Sequence, residues 1–182
     1  MRKIVAGLFV SLDGVIESPE KWHFPYFNDE MGEAVGAQMA AADTMLLGRR
    51  TYEAFAAYWP HQGSEVELAD QMNNTPKLVV SNTLKSLEWQ NSTLISGDVA
   101  QELRRVKEQP GKNLSVTGSA TLVRSLLRDG LLDELRLLIH PIVVGTGKRL
   151  FEDEREPIPL KLLESETFST GVLYLTYGPA ER

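Results

Sequence analysis

From residue 4 to residue 128 short apolar runs alternate with stretches of helical periodicity, and this alternation restricts the possible folds more than any other property of the chain. The apolar runs are Ile4 to Val10, Thr44 to Leu47, Lys77 to Val80, Thr93 to Ile95 and Leu114 to Thr117, all rich in Val, Ile and Leu. Between them Glu30 to Ala42, Tyr52 to Tyr58, Val99 to Lys107 and Thr121 to Arg128 carry apolar residues at three- and four-residue spacing, which predicts amphipathic helices. Leu78-Val79-Val80 is continuously apolar, as a strand must be when helices cover both faces of its sheet.

Beyond Gly130 the pattern changes. Leu135 to Val144, Lys161 to Thr167 and Val172 to Tyr177 read as strands with no strong helix between them, so this part is expected to add antiparallel strands to one sheet edge. The predicted architecture is a three-layer α/β/α fold around a mostly parallel mixed sheet. At 182 residues the whole chain, 1–182, is expected to form one domain.

Several function classes are excluded early. The formal net charge is −6 with no run of Lys or Arg, so nucleic acid is a poor partner. The absence of cysteine removes disulfides, thiolate nucleophiles and Cys-ligated zinc. His23, His61 and His140 are too scattered for a metal-ligand motif, and no metal is expected. The N-terminal MRKIVAGLFVSLDG has a basic start and an apolar stretch, but Asp13 interrupts it, and no apolar run reaches the roughly 18 residues of a membrane span. It reads as a buried first strand, and the protein as cytoplasmic.

Chemistry concentrates where predicted strands end. In Leu46-Leu47-Gly48-Arg49-Arg50-Thr51-Tyr52-Glu53 a strand passes through Gly into a helix, a junction whose free N–H groups and positive dipole end suit a phosphate. Taken alone, a tight turn with two solvated arginines is the plainer reading. Leu78-Val79-Val80 ends in Ser81, Asn82 and Thr83, either a polar turn or hydrogen-bonding groups facing a nucleotide crevice. In Leu114-Ser115-Val116-Thr117-Gly118-Ser119-Ala120-Thr121-Leu122, Ser119 is a candidate N-cap, Gly130 a candidate C′ residue, and the small residues leave the helix start open to a pyrophosphate. The GxGxxG fingerprint is absent. All three junctions fall at strand C-terminal ends, the side on which open α/β sheets bind ligands, and together they favour a dinucleotide.

These segments, with Phe9-Val10-Ser11-Leu12-Asp13-Gly14-Val15-Ile16 and His140-Pro141-Ile142-Val143-Val144-Gly145-Thr146-Gly147, resemble the reductase domain of riboflavin biosynthesis and its dihydrofolate-reductase relatives across nearly the whole chain. The resemblance implies NADPH, with Gly48, Arg49, Arg50 and Thr51 near its phosphates. It puts Ser81 and Asn82 near the 2′-phosphate, Gly118, Ser119, Ala120, Thr121 and Leu122 against the pyrophosphate, and Ile16 near the nicotinamide. It also implies a homodimer. The zinc deaminase often fused to such reductases needs cysteine ligands, so that activity is excluded here.

Two acids are candidates for the proton chemistry. Asp29 lies where dihydrofolate reductases carry an acid on the helix after the first loop, although an acid at a helix start also simply suits the dipole. Asp13 sits in Ser-Leu-Asp-Gly, which matches the riboflavin-type reductases, or else shapes a turn. The match stops at Gly14, because Val15-Ile16-Glu17 replaces their more polar continuation. Trp22, Phe24 and Phe27, in the aromatic loop Glu17 to Asn28, could wall a planar substrate or pack as a loop. The expected activity is hydride transfer from NADPH to a small heterocycle, of the 5-amino-6-(5-phosphoribosylamino)uracil or dihydrofolate kind. The rival is a non-catalytic NADP(H)-binding sensor or interaction protein.

Overall fold

A computed structural model of the chain describes residues 1–152, 154 and 156–181. The elements in chain order are β1 (Ile4–Ser11), α1 (Asp29–Ala40), β2 (Ala42–Gly48), α2 (Arg49–Tyr58), α3 (Ala69–Asn74), β3 (Lys77–Val80) and β4 (Ser92–Ile95). They continue with α4 (Val99–Glu108), β5 (Asn113–Val116), α5 (Ala120–Arg128), β6 (Glu134–His140), β7 (Leu160–Thr167) and β8 (Leu173–Pro179). The strands form one eight-stranded sheet in the order β4-β3-β2-β5-β1-β6-β8-β7.

Pairing from β4 to β6 is parallel, and β8 and β7 join antiparallel at the edge beyond β6. The expectation of antiparallel strands after Gly130 therefore holds for β7 and β8 and not for β6. Helix α5 carries the chain back along the sheet, so β6 enters beside β1 in the same direction. Strand β6 also stops at His140 rather than Val144, because residues 141–145 leave the sheet to bind the loop after β1. Leu12 N donates to Ile142 O, and Val144 N and Gly145 N donate to the Asp13 carboxylate.

The period-two pattern of β1 sorts the layers. Ile4, Ala6, Leu8 and Val10 face α4 and α5, packing with Leu103, Leu122 and Leu126. On the opposite face, Met45, Leu47 and Val79 pack against Tyr52 and Phe55 of α2, while Phe9 and Leu138 pack against Met31 and Val35 of α1. Helix starts are capped by side chains: Asn28 accepts from Met31 N, Asp98 from Gln101 N and Ser119 from Leu122 N, each satisfying an orphan donor. Gly130, just past α5, takes a φ of +67° and closes that helix.

Helix α3 leaves no periodic signal in the sequence. Its six residues are too few to show a period, and Lys77 at the start of β3 fixes it in place. The Lys77 side chain is fully buried, its Nζ donating to Asn73 O at 2.8 Å and Gln90 O at 3.1 Å and lying 3.8 Å from the centre of the Trp89 ring.

Candidate active site

The site begins with a split in the sheet. Strand β1 pairs with β5 only through Ile4, Ala6 and Val5 between them, and from Gly7 to Ser11 it runs beside β6 alone. Because β5 ends at Val116, a gap opens between the two strands toward their C-terminal ends. A cavity of about 1140 Å³ passes through this gap, with α5 and the Gly118 turn on one side and the cleft between α1 and α2 on the other.

Two helix N-termini meet at the mouth. Gly48 is the N-cap of α2 and Ser119 that of α5, and Gly48 N donates to Gly118 O at 3.1 Å. The approach depends on missing side chains. A Cβ at Gly48 would stand 2.5 Å from Ser119 Oγ and 3.0 Å from Ser119 N, and one at Gly118, whose φ is +156°, would stand 2.7 Å from Thr51 Oγ1. The Gly118-Ser119 peptide is cis. Two sets of unpaired backbone donors thus open onto one polar mouth, an arrangement that favours an anionic group.

Ile16, Gly48, Arg49, Arg50, Thr51 and Asn82 line the cavity, as does the run from Gly118 to Leu122. Ser81 does not. Its buried hydroxyl accepts from Thr83 N and Leu84 N and shapes the turn that presents Asn82. Arg49 Nη1 donates to Thr83 Oγ1 at 3.0 Å, joining the start of α2 to the end of β3.

The two acids expected from the sequence lie outside the cavity lining. Asp29 is exposed in the first turn of α1, where an acid suits the helix dipole. Asp13 is a loop fastener: it accepts from Ser11 Oγ, Val144 N and Gly145 N and faces Arg149 at 3.7 Å. The Ser11 hydroxyl and the two backbone donors hold its carboxyl down at about 2, well below the ordinary 3.8. Because this value is depressed on folding, the fastening is complete above pH 3.8 and is lost as pH falls toward 2. At neutral pH, Asp13→Asn is expected to speed amide exchange at Val144 and Gly145, read by hydrogen–deuterium exchange; unchanged protection there would remove Asp13 from this role.

The aromatic loop also departs from its expected place. Trp22, Phe24 and Phe27 do not line the cavity: Phe24 and Phe27 are 62% and 53% exposed, and Trp22 is buried edge-on against His140 at 5.2 Å. The loop folds as short 3-10 turns at Pro19–Lys21 and Phe24–Tyr26 that bring His23 onto Phe9 at 4.4 Å and within 6.0 Å of His140. Two histidines far apart in sequence are thus buried together, and burial lowers the pKa of both. Cavity walls missed from the sequence come instead from α1, through Val35, Gln38 and Met39, and from Arg136 of β6. Gly7, an isolated glycine inside a strand pattern, was the available signal for close approach at this point.

Residues 2–174 match the family of the RibD C-terminal domain. The chain belongs to that family. Among relatives of this RibD-type chain, YyaP of Bacillus subtilis (strain 168) is 33% identical over 180 residues, covering 97% of this chain and 94% of that protein. A putative riboflavin biosynthesis protein from Shewanella sp. PV-4 superposes with a TM-score of 0.80 at 21% identity, covering 100% of both chains. Dihydrofolate reductase from Enterococcus faecalis, solved in complex with NADP(H), superposes at 0.66 with 13% identity, covering 98% of this chain and 97% of that one. The fold is therefore dihydrofolate-reductase-like, as the motifs implied. Among the described residues no helix is long and apolar enough to cross a membrane.

Proposed function

We propose that this RibD-type protein is a cytoplasmic NADPH-dependent reductase that delivers hydride to a small conjugated heterocycle of the pyrimidine or pteridine kind. Its family supports an oxidoreductase. The observation that carries the cofactor reading is the cradle at the mouth, where Gly48 and Gly118 leave room that a single Cβ would fill beside two helix N-termini. The donor set fits a dinucleotide. The N-termini of α2 and α5 would hold the pyrophosphate, Arg49, Arg50 and Asn82, which line the cavity, would take the 2′-phosphate, and Ile16 would lie near the nicotinamide. When bound, NADPH supplies the hydride, while the protein positions the two rings and screens them from bulk water.

Neither Asp13 nor Asp29 lines the cavity. The same reading includes a homodimer. Edge strand β7 is exposed from Lys161 to Thr167, with Leu162 and Leu163 on its surface, and offers a free row of pairing groups.

Fluorescence titration with NADPH tests the cofactor reading: saturable micromolar binding is expected, and its absence would overturn it. Arg49→Ala is expected to weaken NADPH by about tenfold and to leave NADH nearly unchanged, because a charge-assisted contact to a 2′-phosphate is lost. Equal losses for both cofactors would move Arg49 away from that phosphate.

A further inference from the structure

One wall of the cavity depends on contacts made elsewhere. Ile16, Glu17, Ser18, Pro19 and Glu20 line it from the loop after β1, yet Ser18 stands in the left-handed region at a φ of +49°, which disfavours any residue with a Cβ. The loop is pinned further along its length. Trp22 Nε1 donates to Glu17 O at 3.2 Å, and Trp22, His23 and Tyr26 close around His140 at the end of β6.

This closure buries two imidazoles among aromatic rings. His140 is fully buried and His23 is 7% exposed, with ring centres 6.0 Å apart. Phe9 stacks on His23 at 4.4 Å, and Trp22 and Tyr26 stand edge-on to His140 at 5.2 and 5.6 Å. His140 Nδ1 faces Leu138 O at 2.8 Å, and a carbonyl only accepts, so Nδ1 carries the proton of the neutral ring. His140 Nε2 and His23 Nδ1 are both buried without a hydrogen-bond partner among the described residues. The loop's own charges are Glu17, Glu20 and Lys21, of which Glu20 acts on His23. Through Phe9 and Tyr26 the pair adjoins an apolar cluster of Met31, Leu138, Phe168 and Val172, in which Tyr174 is the other titratable group. The acids of the adjoining segments are engaged elsewhere, Asp13 by Val144 and Gly145 and Glu30 by Asn28 and Ser169. Both carboxyls are held below their ordinary values of 3.8 and 4.5, so neither changes charge near neutral pH.

We propose that His23 and His140 form an acid-sensitive latch: with both rings neutral the loop is fastened and residues 16–20 wall the cavity, and a proton taken up by either ring releases the loop and weakens ligand binding. In a charged imidazole both nitrogens are donors, so His140 Nε2 and His23 Nδ1 would each become a buried N–H with no acceptor. Two charged rings 6.0 Å apart would also repel. A released loop solvates both. Burial lowers both pKa values below 6.5, and for His140 it outweighs the opposing carbonyls of Leu138 and Val10. The latch is therefore at full strength above pH 6.5 and weakens as pH falls below it. The consequence for NADP(H) rests on the cofactor reading of the cavity, whereas release of the loop does not.

The test is hydrogen–deuterium exchange of wild type, His23→Phe and His140→Phe at about pH 7.5 and 5.5, corrected for the intrinsic pH dependence of exchange. The reporters are the amides of Trp22 and His23, which donate to Pro19 O, and of Tyr26, which donates to His23 O. In wild type their protection, measured against that of β3, is expected to fall by roughly tenfold or more at the lower pH. His23→Phe keeps a ring on Phe9 but takes no proton, and its loss is expected to be severalfold smaller. His140→Phe is expected to behave in the same way, so either variant decides if the other does not fold. NADP⁺ affinity is expected to drop further in wild type than in the variants over the same interval. The 2′-phosphate of the cofactor titrates at about pH 6 and affects all three proteins alike, so the difference between them is the measure. Unchanged protection in wild type at pH 5.5, or an equal loss in the variants, overturns the latch, and equal drops in NADP⁺ affinity overturn its link to the cavity. Failure of NADP⁺ to bind at either pH, with the histidine-dependent exchange intact, would instead sink the cofactor reading and leave the latch standing.

Discussion

Gly48→Ala is expected to reduce NADPH affinity by on the order of 100-fold, equivalent to about 2.7 kcal/mol, while the protein still folds. The new methyl group would press on Ser119, whose hydroxyl at 2.5 Å can rotate away but whose backbone nitrogen at 3.0 Å cannot. The turn at Gly118 must therefore shift, separating the two helix starts that form the proposed phosphate cradle. Overpacking of this kind costs about 1–3 kcal/mol of stability as well. Gly36→Ala is the matched control, because a Cβ there meets nothing within 4 Å and lies inside α1. That change is expected to stabilise slightly, by roughly 0.5–1 kcal/mol, and to leave cofactor binding alone. Wild-type affinity in Gly48→Ala, measured by fluorescence titration, would remove the cradle from the account of binding.

Lys77→Ala is expected to be among the most destabilising single changes in the chain, by about 3 kcal/mol or more. It empties a fully buried volume and strips the carbonyls of Asn73 and Gln90 of a donor, freeing α3 and the residues before β4 from β3. Lys77→Met, which keeps the stem against Trp89, should lose less. The pH dependence has a distinctive sign. Burial lowers the Lys77 pKa from 10.5 to about 8, so between these values the unfolded chain holds the proton more tightly than the folded one. Stability therefore gains a contribution as pH rises from 8 to 10.5, a gain that Lys77→Met abolishes. Urea melts at a series of alkaline pH values check this, and identical slopes for the two proteins would contradict it.

Much of the architecture is written locally. Strand β3 occupies Lys77–Val80, the same bounds that its apolar run predicts, because a short buried strand bounded by polar residues has few alternatives. Ser119 and Gly130 bracket α5 for equally local reasons, since a capping hydroxyl and a positive-φ glycine act within one turn. The direction of β6 is a different matter: nothing in Leu135 to Ile139 distinguishes a parallel strand from an antiparallel one, and only the path of α5 decides it.

The candidate site divides in the same way. The residues around the Gly48 and Gly118 turns announce themselves, because strand-to-glycine-to-helix junctions are contiguous in sequence. Gln38, Gly7, Tyr174 and Arg136 come from four separate elements, and apart from Gly7, a glycine inside a strand pattern, each is unremarkable until the sheet register brings them together. The aromatic loop is ambiguous in sequence for a related reason. Of its two readings, a substrate wall or a packed loop, Trp22 follows the second, because His140 at the end of β6 offers it a buried packing surface.

The early parting of β1 from β5 has a kinetic consequence. A cavity that penetrates a sheet is walled from both faces, here by residues of α5 on one side and of α1 and α2 on the other. If the proposed cofactor and substrate occupy opposite sides of the sheet, initial-rate kinetics are expected to show a random order of addition, and a strictly ordered pattern would contradict that layout.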